Sequence, residues 1–118
     1  MRERFAVEPP GPNRNMSDEI LSLAIFEPLP GNAEAVIATM RTLMEVLAAG
    51  GYSRDLLYVD TKSRRELILL RYWKSEGARR AALEDPAVLR CWAELSHQIR
   101  TIKIYESLEE AQAHRVKD

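Results

Sequence analysis

Three side chains of this sequence are suited to move a proton or to hold a negatively charged oxygen, namely His97, Arg71 and Tyr58. Imidazole titrates near neutral pH, so His97 is a candidate base. A guanidinium on an otherwise apolar strand face is costly unless it has a partner. Arg71 is therefore expected either to hold an anionic substrate oxygen or to pair with Asp60 or Glu66. The alternative for His97 is an exposed position at the rim of the fold, and the alternative for Tyr58 is a packed ring with only its hydroxyl at the rim.

A second group of side chains is suited to line an apolar pocket and to stack on a flat ligand. Aromatic rings and the polarisable thioether of methionine are common walls of such a pocket. The same residue types are also typical of an ordinary packed core, and that alternative stays open here. The predicted ligand-contacting set is Phe26, Met40, Trp73, Trp92 and Tyr105.

Charge and cysteine content exclude several classes of function. The 17 basic and 18 acidic residues leave a net charge of -1, so no strong field draws in nucleic acid or a membrane surface. Adjacent basic residues such as Arg64 and Arg65 are interpreted as a solvated face. Cys91 is the single cysteine, which excludes an intrachain disulfide and a CxxC metal pair. The sequence also has no glycine-rich phosphate loop, HExxH or GxSxG motif, so we predict no metal and no cofactor.

The ends of the chain are expected to differ from its body. Residues 1–18 are rich in proline and lack the apolar run of a secretion signal, so they predict an extended tail. Residues 19–118 form the predicted single domain. Ser107 and Glu110 have the spacing of a capping box, which predicts a short C-terminal helix. No segment is apolar for long enough to cross a bilayer, and a cytoplasmic location is predicted.

Compact apolar runs predict the strands of this domain. They lie at residues 20–26, 56–59, 64–73 and 101–105. A short polar link joins the second run to the third, which is typical of a hairpin.

Capping residues and helical spacing predict the helices. Asn32 is expected to cap a long helix that ends at Gly50 and the glycine after it. Ser75 predicts the start of a short helix through about residue 83. Asp85 followed by Pro86 predicts the start of a second long helix.

The resulting order, β-α-β-β-α-β, predicts an α+β domain of ferredoxin-like type. Right-handed crossovers fold this order into a four-stranded antiparallel sheet with the helices on one face. The other face is left apolar and bare, so it needs a cover. A second copy of the chain that pairs its sheet face to face provides one, and a homodimer is therefore predicted.

Four segments of the sequence carry a family resemblance: LSLAIFEPLPG at residues 21–31, LILLRYWKSE at 67–76, AALEDPAVLRCW at 81–92 and IYE at 104–106. On these segments the chain resembles the antibiotic biosynthesis monooxygenase family, a branch of the dimeric α/β barrel superfamily. The most specific part is the strand that ends at Trp73 and continues into a Ser-Glu pair.

The resemblance implies a homodimer whose sheets form a barrel, with a pocket in each subunit between sheet and helices. Some members add oxygen to activated aromatic substrates without metal or flavin, and others degrade haem. In cofactor-free oxygenation the deprotonated substrate itself gives an electron to dioxygen. The protein then has to take up a proton, hold the anion and keep out bulk water.

Haem-degrading members combine an Asn on the first strand, a Trp on the third and a His on the second long helix. Trp73 matches the tryptophan, but Ala24 stands at the Asn position and residues 90–93 contain no histidine. Residues 79–83 also lack the histidine that many other members carry on the helix after this tryptophan. Two of the three haem-degrading residues are thus missing.

The leading hypothesis is a cofactor-independent monooxygenase that acts on a quinol-like or polyphenolic aromatic. Its pocket is expected to be lined by Phe26, Met40, Tyr58, Trp73 and Trp92. The alternative from another class is a non-catalytic dimeric module that binds or senses a small apolar ligand. Haem binding or degradation is the third. Turnover under oxygen separates the first two, and a Soret shift identifies the third.

Overall fold

The computed structural model describes residues 18–111. The predicted tail, apart from its last residue, and the last seven residues of the chain lie outside this range. The elements in chain order are β1 (Ile20–Pro28), α1 (Ala33–Ala49), β2 (Ser53–Val59), β3 (Leu67–Trp73), α2 (Glu76–Ala82), α3 (Pro86–Leu95) and β4 (Ile99–Leu108).

The strands form one antiparallel sheet in the order β2-β3-β1-β4. This arrangement confirms the predicted ferredoxin-like α+β fold. In the register between β1 and β3, Phe26 lies opposite Leu67 and Ala24 opposite Leu69. Because side chains alternate along a strand, this register places one set of β1 and β3 residues under the helices and the other on the opposite face.

The hydrophobic core lies between the sheet and helices α1 and α3. The apolar residues of α1 recur at helical spacing, so they form one stripe that packs on the sheet. The helix-side residues of β3 and β1 meet that stripe, and α3 closes the layer. The buried core consists of Phe26, Val36, Met40, Leu43, Leu47, Leu67, Leu69, Trp73, Ala82, Val88, Cys91 and Leu95.

Most of the predicted helix boundaries are confirmed by their caps. The Ser75 hydroxyl accepts a hydrogen bond from the Ala78 N–H at 3.0 Å at the start of α2. The Asp85 carboxylate accepts one from the Ala87 N–H at 2.9 Å at the start of α3. Asn32 lies at the N-cap of α1, but its side-chain amide donates to a proline carbonyl two residues earlier. The side chain of Asn32 therefore leaves the first-turn amides of α1 uncapped.

Several predicted boundaries were wrong. β2 begins at Ser53 and β4 at Ile99, which is three and two residues earlier than expected. Two further differences have a local cause. The third strand was expected from residue 64, but β3 begins at Leu67 because Arg64 has a φ of 59°. The Ser63 hydroxyl accepts hydrogen bonds from the Arg65 N–H at 3.0 Å and from the Glu66 N–H at 3.2 Å. These bonds close a turn where the strand was predicted to begin. Ser107, expected to cap a C-terminal helix, instead lies inside β4.

The face of the sheet opposite the helices is apolar and open. Leu56, Tyr58 and Tyr105 are exposed there, and Leu23, which pairs with Tyr105, is only partly covered. This is the bare face expected from the order of elements. Among the helices described, none is long and apolar enough to span a membrane.

Candidate functional site

Arg71 lies on the helix side of β3, where it forms a buried ion pair with Asp55 of β2. The two residues are direct partners in the strand register. The Arg71 Nε donates to both carboxylate oxygens at 3.1 and 3.0 Å, and Nη2 donates to Oδ2 at 2.8 Å. The Ser53 hydroxyl donates to the same carboxylate at 3.0 Å. The expected partners Asp60 and Glu66 do not take this role, because the register brings Asp55 beside the guanidinium.

The three predicted catalytic residues lie in three different places. Arg71 is buried beneath the helices, and its guanidinium stands 5.4 Å from the centre of the Trp73 ring. Tyr58 is exposed on the opposite, open face of the sheet. His97 is exposed in the turn between α3 and β4. The structure therefore does not bring these side chains together within one subunit.

The predicted ligand-contacting residues divide into two groups. Phe26, Met40 and Trp73 are buried members of the core, and Trp92 is partly buried against it. Tyr105 lies on β4, opposite Leu23, with the ammonium group of Lys103 5.3 Å from its ring centre. Four of the five residues thus pack together, but they do so as part of the hydrophobic core.

A cavity of about 750 Å³ lies at the end of the sheet where β1 leads into α1. Its size falls in the range of about 300–1,000 Å³ that is typical of small-molecule sites. The Leu29 N–H donates to the Gln98 carbonyl at 2.8 Å, which ties the β1–α1 loop to the start of β4. The lining residues are Glu27, Pro28, Leu29, Pro30, Gly31, Ala33, Ile37, Val59, Arg64, Arg65, Leu67 and Arg100.

The cavity combines apolar walls with a charged rim. Glu27 of β1 lies opposite Arg100 of β4 in the strand register and accepts a hydrogen bond from its Nε at 2.9 Å. The other Glu27 oxygen lies 3.9 Å from a guanidinium nitrogen of Arg65. Arg64 is a third arginine among the lining residues. Three arginines and one glutamate give this rim an excess of positive charge.

Sequence reasoning missed this cavity. Arg64 and Arg65 were interpreted as a solvated face, and Glu27 and Arg100 were not singled out. The cavity lining comes from four separate stretches of the chain, so no single motif reports it. The available signal was the LPG sequence at residues 29–31, which turns the chain sharply at the mouth of the cavity, where Gly31 has a φ of 82°.

Three groups with shifted pKa values, Cys91, Asp85 and Tyr52, lie outside this lining. Burial raises the pKa of the Cys91 thiol, and the neighbouring Arg90 only partly opposes this. The hydrogen bond from the Tyr52 hydroxyl, 2.8 Å long, lowers the pKa of Asp85 and raises that of Tyr52. These shifts follow from packing and helix capping. The described residues contain no cluster of three side chains suited to hold a metal ion.

A family model described as antibiotic biosynthesis monooxygenase matches residues 20–94, which run from the start of β1 almost to the end of α3. The chain belongs to the antibiotic biosynthesis monooxygenase family. The family's fold accounts for the sheet order and for the helices on one face.

Solved structures with this fold come from several bacteria. SnoaB from Streptomyces nogalater, described as a cofactor-independent oxygenase, has a TM-score of 0.67 at 16% identity, over 80% of this chain and 97% of its own. PA3566 from Pseudomonas aeruginosa has a TM-score of 0.69 at 21% identity, over 81% of this chain and 98% of its own. Rv0793 from Mycobacterium tuberculosis has a TM-score of 0.64 at 20% identity, over 80% of this chain and 99% of its own. A search of curated proteins finds no match.

Within this antibiotic biosynthesis monooxygenase fold, the space between sheet and helices is occupied by the packed core and by the Arg71–Asp55 pair. The cavity described above lies instead at the end of the sheet, against the first turns of α1. The arrangement can hold one face of a flat apolar molecule and present positive charge to one edge of it.

Proposed function

We propose that this chain is a cofactor-independent monooxygenase whose substrate is a quinol-like or polyphenolic aromatic. The observation that carries the proposal is the cavity of about 750 Å³ with apolar walls and a cationic rim. Membership of the antibiotic biosynthesis monooxygenase family supports it. The description of SnoaB as a cofactor-independent oxygenase, on the same fold, supports it further.

The walls of the cavity suit a rigid, flat ligand. Leu29, Ile37 and Leu67 provide apolar surface, and Pro28 and Pro30 stiffen the loop beside it. A rigid wall loses little conformational entropy when a ligand binds. Apolar walls also reduce the contact of a bound ring with water, which helps to protect a reactive anion and its oxygen adduct.

The chemistry needs an electron-rich ring carbon and dioxygen. The substrate loses a proton, and the resulting anion transfers one electron to dioxygen. The two radicals combine in a carbon–oxygen bond, and a proton converts the adduct into a hydroperoxide. Cleavage of its O–O bond, with loss of the remaining ring C–H proton, releases water and leaves a carbonyl. The phenolic O–H and one ring C–H thus supply the two hydrogens of the water, one oxygen atom of O₂ supplies its oxygen, and the other oxygen atom becomes the new C=O.

Positive charge at the rim assists the first step of this sequence. A nearby cation favours the ionised form of a phenol or enol, so it lowers the pKa of a bound substrate. Arg64, Arg65 and Arg100 supply that charge, and Glu27 offsets only part of it. The released proton leaves to solvent past these exposed side chains.

The proposed enzyme is a homodimer joined through the open face of the sheet. Leu56, Tyr58 and Tyr105 are exposed on this face, and large apolar patches are typical of protein interfaces. In such a dimer Tyr58 and Tyr105 are covered by the partner subunit. The cytoplasmic location expected from the sequence remains a prediction.

One observation favours the alternative, a binding module without turnover. Within the described residues, neither His97 nor any other histidine lines the cavity. A cavity without a dedicated base can hold a ligand and leave it unchanged. The two functions share the same ligand class and differ in whether oxygen is consumed.

Oxygen uptake separates them. The purified, metal-stripped protein is incubated with a panel of quinols and polycyclic phenols, and dissolved oxygen and absorbance are followed together. The proposal expects uptake above the autoxidation rate with at least one compound, unchanged by added chelator. Saturable binding with no uptake across the panel would refute the oxygenase and support the binding module.

A further inference from the structure

The charges at the cavity rim are unequally partnered. The two oxygens of the Glu27 carboxylate face one arginine each, Arg100 and Arg65. Only 16% of the Glu27 side chain is exposed, so this carboxylate has little room for a third partner. Within the described residues, no carboxylate pairs with the side chain of Arg64. Among the described residues, Arg64 is therefore the arginine of the cavity lining that has no carboxylate partner.

Arg64 is held at this position by a strained backbone. Its φ of 59° lies in the left-handed region, and Arg64 is the one described residue other than glycine with a positive φ. Only glycine, and sometimes asparagine or aspartate, adopts this region without a penalty. Such strain persists where the surroundings fix it, and it is concentrated at functional sites.

The loop between β2 and β3 provides that fixation. The Arg64 N–H donates to the Asp60 carbonyl at 2.7 Å, and the Asp60 N–H donates to the Glu66 carbonyl at 2.9 Å. The Asp60 carboxylate accepts a further hydrogen bond from the Lys62 N–H at 3.1 Å. These hydrogen bonds join the two ends of the loop, so they fix the backbone position of Arg64 at the cavity rim.

The neighbouring end of α1 adds to the positive potential. Gly31 and Ala33 line the cavity, so the first turn of this 17-residue helix borders it. The N-terminal end of a helix carries a partial positive charge. The Asn32 side chain does not cap this turn, and Glu34 of the same turn is not part of the cavity lining.

We propose that Arg64 is the anion-binding residue of the cavity, and that the ligand is a flat apolar acid. The carboxylate or ionised phenol of that acid pairs with the Arg64 guanidinium while its rings lie against the apolar walls. This inference rests on the proposed function in one respect, that the same cavity receives the substrate. It narrows the substrate class from aromatic compounds in general to acidic ones.

A matched pair of probes tests the charge preference directly. Anthraquinone-2-carboxylate and 2-(hydroxymethyl)anthraquinone share one ring system and differ in charge. Calorimetric titration of the full chain is expected to show about tenfold tighter binding of the carboxylate, the size of one charge-assisted hydrogen bond at an exposed rim. The preference is expected to shrink as ionic strength rises, because salt screens exposed charges.

Substitutions assign the preference to one residue. In Arg64→Gln the preference for the carboxylate is expected to fall sharply, to the small part that the other positive charges of the rim and the first turn of α1 provide. The control Arg80→Gln removes a charge of the same sign from the exposed face of α2 and is expected to keep the full preference. Arg64→Gly removes the guanidinium and suits the left-handed backbone, so it is expected to keep the loop conformation and to lower the preference as far as Arg64→Gln does.

Three results would overturn the proposal: no preference in the wild type, an unchanged preference in both Arg64 variants, or no binding of either probe. The oxygenase is judged separately by oxygen uptake. A charge preference with no uptake refutes the oxygenase and leaves the role of Arg64 standing. Equal oxygen uptake with acidic and neutral quinols, together with equal binding, refutes the role of Arg64 and leaves the oxygenase.

Discussion

The buried ion pair between Arg71 and Asp55 gives the sharpest prediction about stability. Its side chains are 9% and 1% exposed, so water screens the pair very little. Removal of one partner leaves the other charged and buried, which typically destabilises a protein by about 3–5 kcal/mol. We expect Arg71→Met and Asp55→Leu each to lower the free energy of unfolding by about this amount.

The double variant is expected to behave very differently. Replacement of both partners by apolar residues of similar size removes the buried charge altogether, and such changes are often neutral or stabilising. Arg71→Met with Asp55→Leu is therefore expected to recover most of the loss and to lie within about 2 kcal/mol of the wild type. The two substitutions are strongly coupled, since their separate effects do not add.

Urea unfolding followed by tryptophan fluorescence measures these differences. Arg80→Met is the matched control, because Arg80 has an exposed ion-pair partner, Glu76, at 3.9 Å. Exposed pairs contribute about 0–1 kcal/mol, so the control is expected to change little. The reasoning is refuted if Arg71→Met and Asp55→Leu each cost less than about 1 kcal/mol, or if the double variant loses the sum of both.

Three further predictions concern the turn, the helix cap and the open face. Arg64→Gly is expected to raise the free energy of unfolding by about 0.5–1 kcal/mol in urea titrations, because relief of left-handed strain exceeds the added freedom of the unfolded chain; a loss of stability would contradict this. The pKa of Asp85 is lower in the folded chain than its value of about 3.9 in the unfolded chain. Asp85 therefore contributes stability above a pH of about 3.9, and this contribution is lost as the pH falls through the pKa of the folded state. Tyr52→Phe is thus expected to lower the Tm at neutral pH, and the difference in Tm between the variant and the wild type is expected to become smaller in acid. A difference in Tm that does not change with pH would count against a stabilising role of this hydrogen bond. Leu56→Lys is expected to convert a dimer to a monomer in sedimentation, whereas Leu89→Lys on α3, at a closely matched exposure of 43% against 42%, is not; a monomeric wild type would remove the proposed interface.

Much of the fold could be predicted because its signals are local. Alternation along β3 placed Leu67, Leu69, Arg71 and Trp73 on one face, and the structure buries all four. Asp85 and Ser75 were recognised as caps from residue type and position alone, and both make the expected hydrogen bond. These features depend on a few neighbouring residues, which is what a sequence displays directly.

The candidate site could not be predicted in the same way, because it depends on register and on loop conformation. The pairing of Asp55 with Arg71 follows from the length of the loop between β2 and β3, and that loop contains the left-handed Arg64. Arginine has no preference for a positive φ, so the sequence did not indicate the conformation of Arg64. The cavity in turn requires four chain segments to meet at one end of the sheet, so Glu27 could not be connected with Arg100 before the strand order was known.

Isotope labelling with ¹⁸O₂ tests most directly whether the cavity is the site of a cofactor-independent monooxygenase. Ala33→Trp fills the cavity from an exposed position at the start of α1, and Ala35→Trp adds the same bulk to an exposed position outside the lining. We predict that the metal-stripped wild type and Ala35→Trp place one ¹⁸O atom in the product of an oxidised quinol, and that Ala33→Trp forms little product. Unlabelled product, or equal labelled product from Ala33→Trp, would contradict it.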